Sequence, residues 1–294
     1  MENVTEGFIP VTGGNVWYRK TGNGPGIPLV VLHGGPGAQS SDSDPLRQLG
    51  TDRPIIQYDQ LGCGKSDKPT DTELWTVERY VEELEQVVEA LELEEFHLLG
   101  HSWGTMLAAS YLFRKPAGVR SVVFSSPALS ARRWERDQRN YLSEFPQETQ
   151  ETIECSEREG TTDSAEYKQA VKAYYKRHMC RVDPWPKELE QDLENMNEQI
   201  YNYMWGASEF TVTGTLKNFD ATGRLHEIDI PALFTCGRFD EATPEATETY
   251  ADLVPDAEFH VFENSSHMPG IEEPEAYVEV IREWVNGQEL KPGA

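Results

Sequence analysis

A serine framed by glycines, a later aspartate and a still later histidine are the residues here whose types and order suit covalent catalysis. Gly100-His101-Ser102-Trp103-Gly104 is a G-x-S-x-G string, directly after the apolar run 96–99 and before a helical pattern. In that strand–turn–helix setting the glycines permit a sharp turn that pushes the Ser102 hydroxyl out over a sheet, as a nucleophile elbow requires. His33-Gly34-Gly35-Pro36-Gly37 follows another apolar run, 29–32. Glycines there let the backbone approach a ligand, so the Gly35 N–H can point at a developing oxyanion, with the N–H of Trp103 as second donor.

Such a serine needs an acid and a histidine downstream, in that order. Of seven histidines, only His260 and His267 follow the late strand pattern that should deliver the acid. His260 lies inside a strand pattern, whereas His267 sits in the loop after it, in Ser265-Ser266-His267-Met268-Pro269, free to reach Ser102. Asp240 follows the strand 231–237; Asp229 precedes it, and Asp252 and Asp256 come too late. His267 then takes the Ser102 proton and returns it to the leaving group, while Asp240 fixes its tautomer and stabilises the imidazolium. Gly62-Cys63-Gly64-Lys65-Ser66 looks like the end of a phosphate loop, but Asp59 stands where that motif needs its first glycine. A nucleotide site is rejected.

The elements that must position these groups follow from periodicity. Runs 29–32, 55–58, 96–99 and 119–124 are apolar on both faces, as central strands of a parallel sheet are. Runs 7–12 and 16–21 flank Gly13-Gly14-Asn15 and read as a hairpin. The spacing of Tyr80, Leu84, Val87, Val88 and Leu91 predicts an amphipathic helix over 76–91 with Glu78, Glu82, Glu85 and Glu89 on its solvated face. A second helix is expected over 105–114. From 128 to 223 the chain is Glu/Gln/Arg-rich and reads as several helices, broken by Pro184-Trp185-Pro186, with a strand pattern only at 210–212. The α/β rhythm then resumes: strands 231–237 and 258–262, helices 245–253 and 274–285. The expected organisation is a core of 1–127 and 224–294 with a helical cap, 128–223, over the strand C-termini where such sheets bind ligands.

Composition narrows the function further. With 26 Lys and Arg against 51 Asp and Glu, the 294-residue chain carries a formal charge of −25. Nucleic-acid binding needs clustered cations and is excluded; cationic ligands are favoured. The four cysteines lie far apart with no C-x-x-C pair, so neither a zinc site nor a disulfide framework is signalled. The N-terminus lacks a basic and apolar leader, and no apolar run reaches the roughly 20 residues of a membrane span. A cytoplasmic protein without membrane association is expected.

His33–Gly37, Asp59-Gln60-Leu61-Gly62-Cys63-Gly64-Lys65-Ser66 and Gly100–Gly104 together resemble the prolyl iminopeptidase family of α/β-hydrolases. Glu209-Phe210-Thr211-Val212-Thr213-Gly214-Thr215-Leu216 and 237–244 extend the likeness over nearly the whole chain, which is similar in detail to the branch containing the tricorn-associated archaeal aminopeptidase. The resemblance implies an α/β-hydrolase fold, a mostly parallel sheet with helices on both faces and an inserted helical cap. It implies a cofactor-free, metal-free serine peptidase that removes one N-terminal residue, often proline, from short peptides with a free N-terminus. It also allows a functional link to a larger protease. An exopeptidase must recognise a free ammonium, for which buried carboxylates are natural partners. The resemblance gives that role to Glu209 and Glu241. Trp103, Phe239, Tyr201, Trp205 and Phe210 are aromatic candidates for the side-chain pocket, and Cys63 reads as packing. On the residues alone, a carboxylesterase, lactonase or amino-acid amidase remains open, since fold and triad serve these too. A non-catalytic hydrolase-fold protein fits poorly with an intact Ser102, Asp240 and His267.

Overall fold

The computed structural model describes residues 3–41 and 44–290; residues 1–2, 42–43 and 291–294 of the expected core and loop lie outside the described residues. The chain opens with a hairpin, β1 (Val4–Val11) and β2 (Gly14–Thr21), then enters β3 (Leu29–Leu32) and β4 (Ile55–Tyr58). Helix α1 (Val77–Ala90), β5 (Phe96–His101), α2 (Trp103–Leu112) and β6 (Val119–Ser125) follow. The Thr76 side chain caps α1 by accepting from the Arg79 N–H.

Between β6 and the next core strand the chain forms α3 (Ala131–Leu142), α4 (Gln147–Glu159), α5 (Ala165–His178), α6 (Lys187–Glu194) and α7 (Glu198–Met204). A short antiparallel pair completes this insertion, β7 (Gly206–Ser208) with β8 (Thr211–Val212). It has its own small core, in which Leu142, Ile153, Tyr167, Tyr174 and Phe210 are buried together. The core resumes with β9 (Ala232–Gly237), α8 (Pro244–Ala251), β10 (Ala257–Phe262), α9 (Pro269–Glu272) and α10 (Pro274–Leu290).

The main sheet has eight strands in the order β1-β2-β4-β3-β5-β6-β9-β10. Strands β4 through β10 in that order pair in parallel, and the hairpin joins antiparallel at the β4 edge. Double-sided apolarity has a direct cause in the two-residue period of a strand. Val30, Leu32, Leu98, Val122 and Phe124 face a core shared with Tyr80, Leu84, Met106 and Leu107 of α1 and α2. Leu29, Val31, Leu99 and Val123 face the opposite core, built with Val278, Ile281, Trp284 and Val285 of α10. On α1 the four glutamates named above are exposed, while Glu83 is buried and paired with Arg79.

The insertion is tied to loops at the C-terminal ends of core strands. The Asn197 N–H donates to Gly37 O and its side chain to Gly62 O, both at 2.8 Å. The Gln138 amide donates to Glu241 O at 2.8 Å, and the His267 N–H to His178 O at 3.1 Å. Every one of these core partners lies in a loop that leaves a strand on the side where the G-x-S-x-G turn also lies. Among the described residues no helix is long and apolar enough to cross a membrane, and all four cysteines are free thiols.

Candidate active site

Ser102 occupies the turn between β5 and α2 at φ 53°, ψ −120°, a strained conformation for a residue with a side chain. Its flanking glycines are dictated by close approach: a Cβ on Gly100 would stand 2.3 Å from Gly104 O, and one on Gly104 would stand 2.4 Å from Leu32 O. Helix α2 starts at Trp103, two residues earlier than the expected 105, because Ser102 itself is the N-cap. The helix N-terminus and its positive dipole end therefore lie beside the serine.

The glycine loop after β3 is braced from beneath by the 59–66 string. His33 Nε2 accepts the Gln60 N–H at 3.0 Å, so the neutral ring carries its proton on Nδ1 and donates to Gly34 O at 2.9 Å. Burial pushes this histidine's pKa down, more than the Asp59 charge and Gly34 carbonyl raise it. The Gln60 side chain takes the Trp103 indole N–H at 2.9 Å, and Asp59 accepts the N–H groups of Ser40 and Lys65 at 2.8 Å each. Gly35 sits at φ 115°. Neither its N–H nor that of Trp103 has a hydrogen-bond partner among the described residues, leaving both donors open.

Asp240 follows β9 and is fully buried. Its Oδ1 accepts from His267 Nδ1 and from the Ala242 N–H, both at 2.7 Å. Its Oδ2 accepts the Ser126 hydroxyl at 2.7 Å and the Gly237 N–H at 3.1 Å. This fixes the His267 proton on Nδ1 and leaves Nε2 as the acceptor nitrogen. Burial lowers the His267 pKa, but the Asp240 charge and hydrogen bond outweigh it, with Glu241 and Glu209 adding, and hold it at about 9. His178, at the end of α5, bridges the two loops that carry these residues. Its carbonyl holds the His267 N–H, and its Nδ1 lies 2.9 Å from the Phe239 carbonyl, next to Asp240.

A cavity of about 280 Å³ brings together Gly35, Ser102, His267, Glu209, Glu241, Tyr175 and Tyr201. Trp103 and Asp240 stand behind its wall. The Glu209 carboxylate accepts the Trp134 indole N–H at 2.9 Å and the Tyr201 hydroxyl. Glu241 is buried, and its Oε1 has no hydrogen-bond partner among the described residues. Burial, then the neighbouring Glu209 charge, drives the Glu241 pKa well up; burial also raises Glu209, opposed by the Tyr201 hydrogen bond and the His267 charge. The site is a desolvated pair of carboxyl groups beside a serine, a histidine and two N–H groups with no partner among the described residues.

Of the expected pocket aromatics, only Tyr201 lies on the cavity wall. Phe210 is fully buried against Tyr174 in the insertion's own core, ring centroids 4.5 Å apart. Phe239 is 37% exposed beneath the Arg181 guanidinium. Trp205 packs edge-on behind Trp134, which itself meets the His267 ring at 5.7 Å. Tyr175, Trp134, Ser126 and His178 had no signal in the sequence. Cys63 is buried in the main core, and burial pushes its thiol up.

The fold and this site are those of an α/β-hydrolase, and the sequence matches the family described as alpha/beta hydrolase fold over residues 27–274. The chain is 56% identical over 284 residues to the proline iminopeptidase of Heyndrickxia coagulans, covering 96% of this chain and 99% of that one. To the proline iminopeptidase of Clostridium botulinum it is 39% identical, covering 96% and 98%. The crystal structure of proline iminopeptidase from Mycobacterium smegmatis superposes with a TM-score of 0.90 at 33% identity, covering 97% and 99%. That of VinJ gives 0.91 at 35%, again covering 97% and 99%. Within the α/β-hydrolases, the chain belongs to the proline iminopeptidase family.

Proposed function

We propose that the chain is a serine aminopeptidase releasing N-terminal proline, and other small or apolar first residues, from short peptides through an acyl-enzyme. The observation that carries the reading is Glu241: a buried carboxyl with an unpartnered oxygen, facing the cavity that Ser102 and His267 share. A group in that state is costly to the fold unless a cation arrives to satisfy it. The cation of an N-terminal proline carries two N–H groups, matching one carboxylate each from Glu209 and Glu241. In this reading residues 128–223 act as a cap that carries Glu209 over a hydrolase core of 1–127 and 224–294.

With the ammonium held, Ser102 Oγ attacks the first residue's carbonyl carbon as His267 Nε2 takes its proton. The negative oxygen is met by the N–H groups of Gly35 and Trp103, each worth about 10²–10³ in rate. Collapse breaks the C–N bond, and His267 returns the proton to the departing amine. Water then repeats the sequence on the ester and frees the amino acid and Ser102. Four free thiols and a peptide-sized cavity support action in the reducing cytoplasm on short peptides such as larger proteases release.

The test compares prolinamide with N-acetylprolinamide on the wild-type protein and Ser102→Ala. The free amine should be hydrolysed and the acetylated one should lose at least about 10³-fold, with Ser102→Ala losing on the order of 10⁴-fold or more. Equal turnover of both amides would overturn the aminopeptidase reading in favour of an esterase or amidase.

A further inference from the structure

One short stretch of the insertion, residues 178–181 at the end of α5, touches both loops that carry the acid and the base. The His267 N–H donates to the His178 carbonyl at 3.1 Å. The His178 ring reaches the other loop, its Nδ1 2.9 Å from the Phe239 carbonyl, one residue before Asp240. Met179 and Cys180 are buried in a cluster against which Met268 and Ile271 pack. The Arg181 N–H donates to Glu272 at 2.8 Å. That carboxylate also accepts the N–H groups of Ser266 at 2.8 Å and Met268 at 3.3 Å, on either side of His267. The His178 ring itself is buried, stacked on Tyr141 with centroids 4.0 Å apart and 4.9 Å from the Tyr174 ring. Burial holds its pKa down at about 4; the Phe239 carbonyl, Glu144 and Asp240 raise it and Arg177 lowers it. The ring is therefore neutral near pH 7, and because a carbonyl can only accept, its proton lies on Nδ1.

Asp240 and His267 stand 27 residues apart in the chain, so their 2.7 Å contact requires two separate loops to keep a fixed spacing. Resting on the Ser102–His267–Asp240 mechanism above, we propose that His178 is a positioning residue for the reaction. Its carbonyl holds the backbone at His267 while its Nδ1–H holds the peptide before Asp240, so one residue of the insertion sets the spacing of acid and base. Docking of the insertion thus completes the triad as well as covering it. Spacing of this kind matters because a misplacement of about 1 Å can cost about 10² in rate.

The test replaces the ring in two opposite ways and assays prolinamide and a neutral ester, phenyl acetate. His178→Phe keeps a stacked ring and loses the N–H; His178→Asn loses the stack and puts an amide N–H near the place of Nδ1. In His178→Phe, kcat above the pH limb should fall about 10- to 100-fold on both substrates, with KM for prolinamide within about twofold. The limb of kcat/KM on phenyl acetate, about 9 in the wild type, should move to lower pH. It does so because the Asp240 charge and hydrogen bond that oppose burial at His267 are loosened, while Glu241, Glu209 and the neighbouring His101 ring are left in place. His178→Asn should restore kcat to within about threefold of wild type, and the limb with it, while being the less heat-stable of the two variants. KM and the limb do not depend on the folded fraction of a sample, so partial misfolding does not mimic this pattern. Wild-type kcat and limb in His178→Phe would overturn the positioning role. Equal losses in both variants would overturn it too, assigning the ring to packing alone. Turnover of phenyl acetate without prolinamide would overturn the aminopeptidase reading, and the ester limb would then decide the role of His178. No turnover of either substrate by the wild-type protein would overturn the Ser102 mechanism and the positioning role together.

Discussion

Asp240 and Glu241 are neighbours in the chain, both buried, both carboxylates, and the fold treats them in opposite ways. Asp240 receives four hydrogen bonds, from His267, Ala242, Ser126 and Gly237. Glu241 has an oxygen that receives none among the described residues. The protein satisfies the first group itself and leaves the second open to the cavity. On the aminopeptidase reading proposed above, that contrast separates a group that orients the base from a group that recognises the substrate. It also accounts for two adjacent acids in a site where their mutual repulsion is unfavourable.

The contrast breaks most visibly at Asp240. Asp240→Asn keeps the shape but offers an N–H2 or a neutral carbonyl where His267 needs an anion, so kcat should fall about 10⁴-fold for amide and ester alike. A loss confined to free-amine substrates would place Asp240 with the recognition pair instead.

Glu241→Gln should do the reverse. Prolinamide should lose about 10²–10³ in kcat/KM, because a buried cation would meet a neutral partner, while a neutral ester changes less than about tenfold. The thermal midpoint should hold or rise, since an unsatisfied buried carboxyl has been replaced by a neutral isostere. The same variant carries a pH signature. His267 must be neutral to act as base, and it sits at about 9 in the free protein. For a neutral ester, kcat/KM should therefore rise with pH through about 9 in the wild type. Where the Glu241 carboxylate favours the imidazolium, its removal should move the rise to lower pH. An unmoved or upward-shifted limb would mean Glu241 does not face His267 electrostatically.

What could be read from the residues was what regular periodicity or turn chemistry marks, and what could not was what docking decides. The core strands declared themselves because each is apolar on two faces, which only a sheet buried on both sides produces. Ser102, Gly35 and His267 stood out because turn chemistry and chain order are local properties. Of the pocket aromatics only Tyr201 lines the cavity: Glu209, Phe210, Phe239 and Asp240 sit in turns and irregular backbone, where no strand or helix period tells from the residues which side chain turns inward. His178 and Trp134 carry no signal because they sit in a Glu/Gln/Arg-rich helical insertion, where reaching the site depends on how whole helices dock rather than on spacing. Helix α2 started early because a serine at positive φ can cap a helix by backbone geometry alone, which propensity does not register.

Ser126 offers the finest test of how far the fold goes to satisfy Asp240. It holds φ 51°, a left-handed conformation that a residue with a Cβ adopts at some cost, and its hydroxyl reaches Asp240 at 2.7 Å. Its N–H is anchored to Thr235 O at 2.7 Å, so the backbone cannot relax away from that geometry. Ser126→Ala keeps the strain and loses the hydrogen bond; Ser126→Gly loses the bond and relieves the strain. Both should lower kcat to a similar extent, about three- to tenfold, since Asp240 retains three donors. The glycine variant should be the more stable of the two by about 0.5–1 kcal/mol in denaturant unfolding. Equal stability would show that the left-handed turn at the end of β6 is unstrained. Equal activity to wild type in both would show that three donors already saturate Asp240.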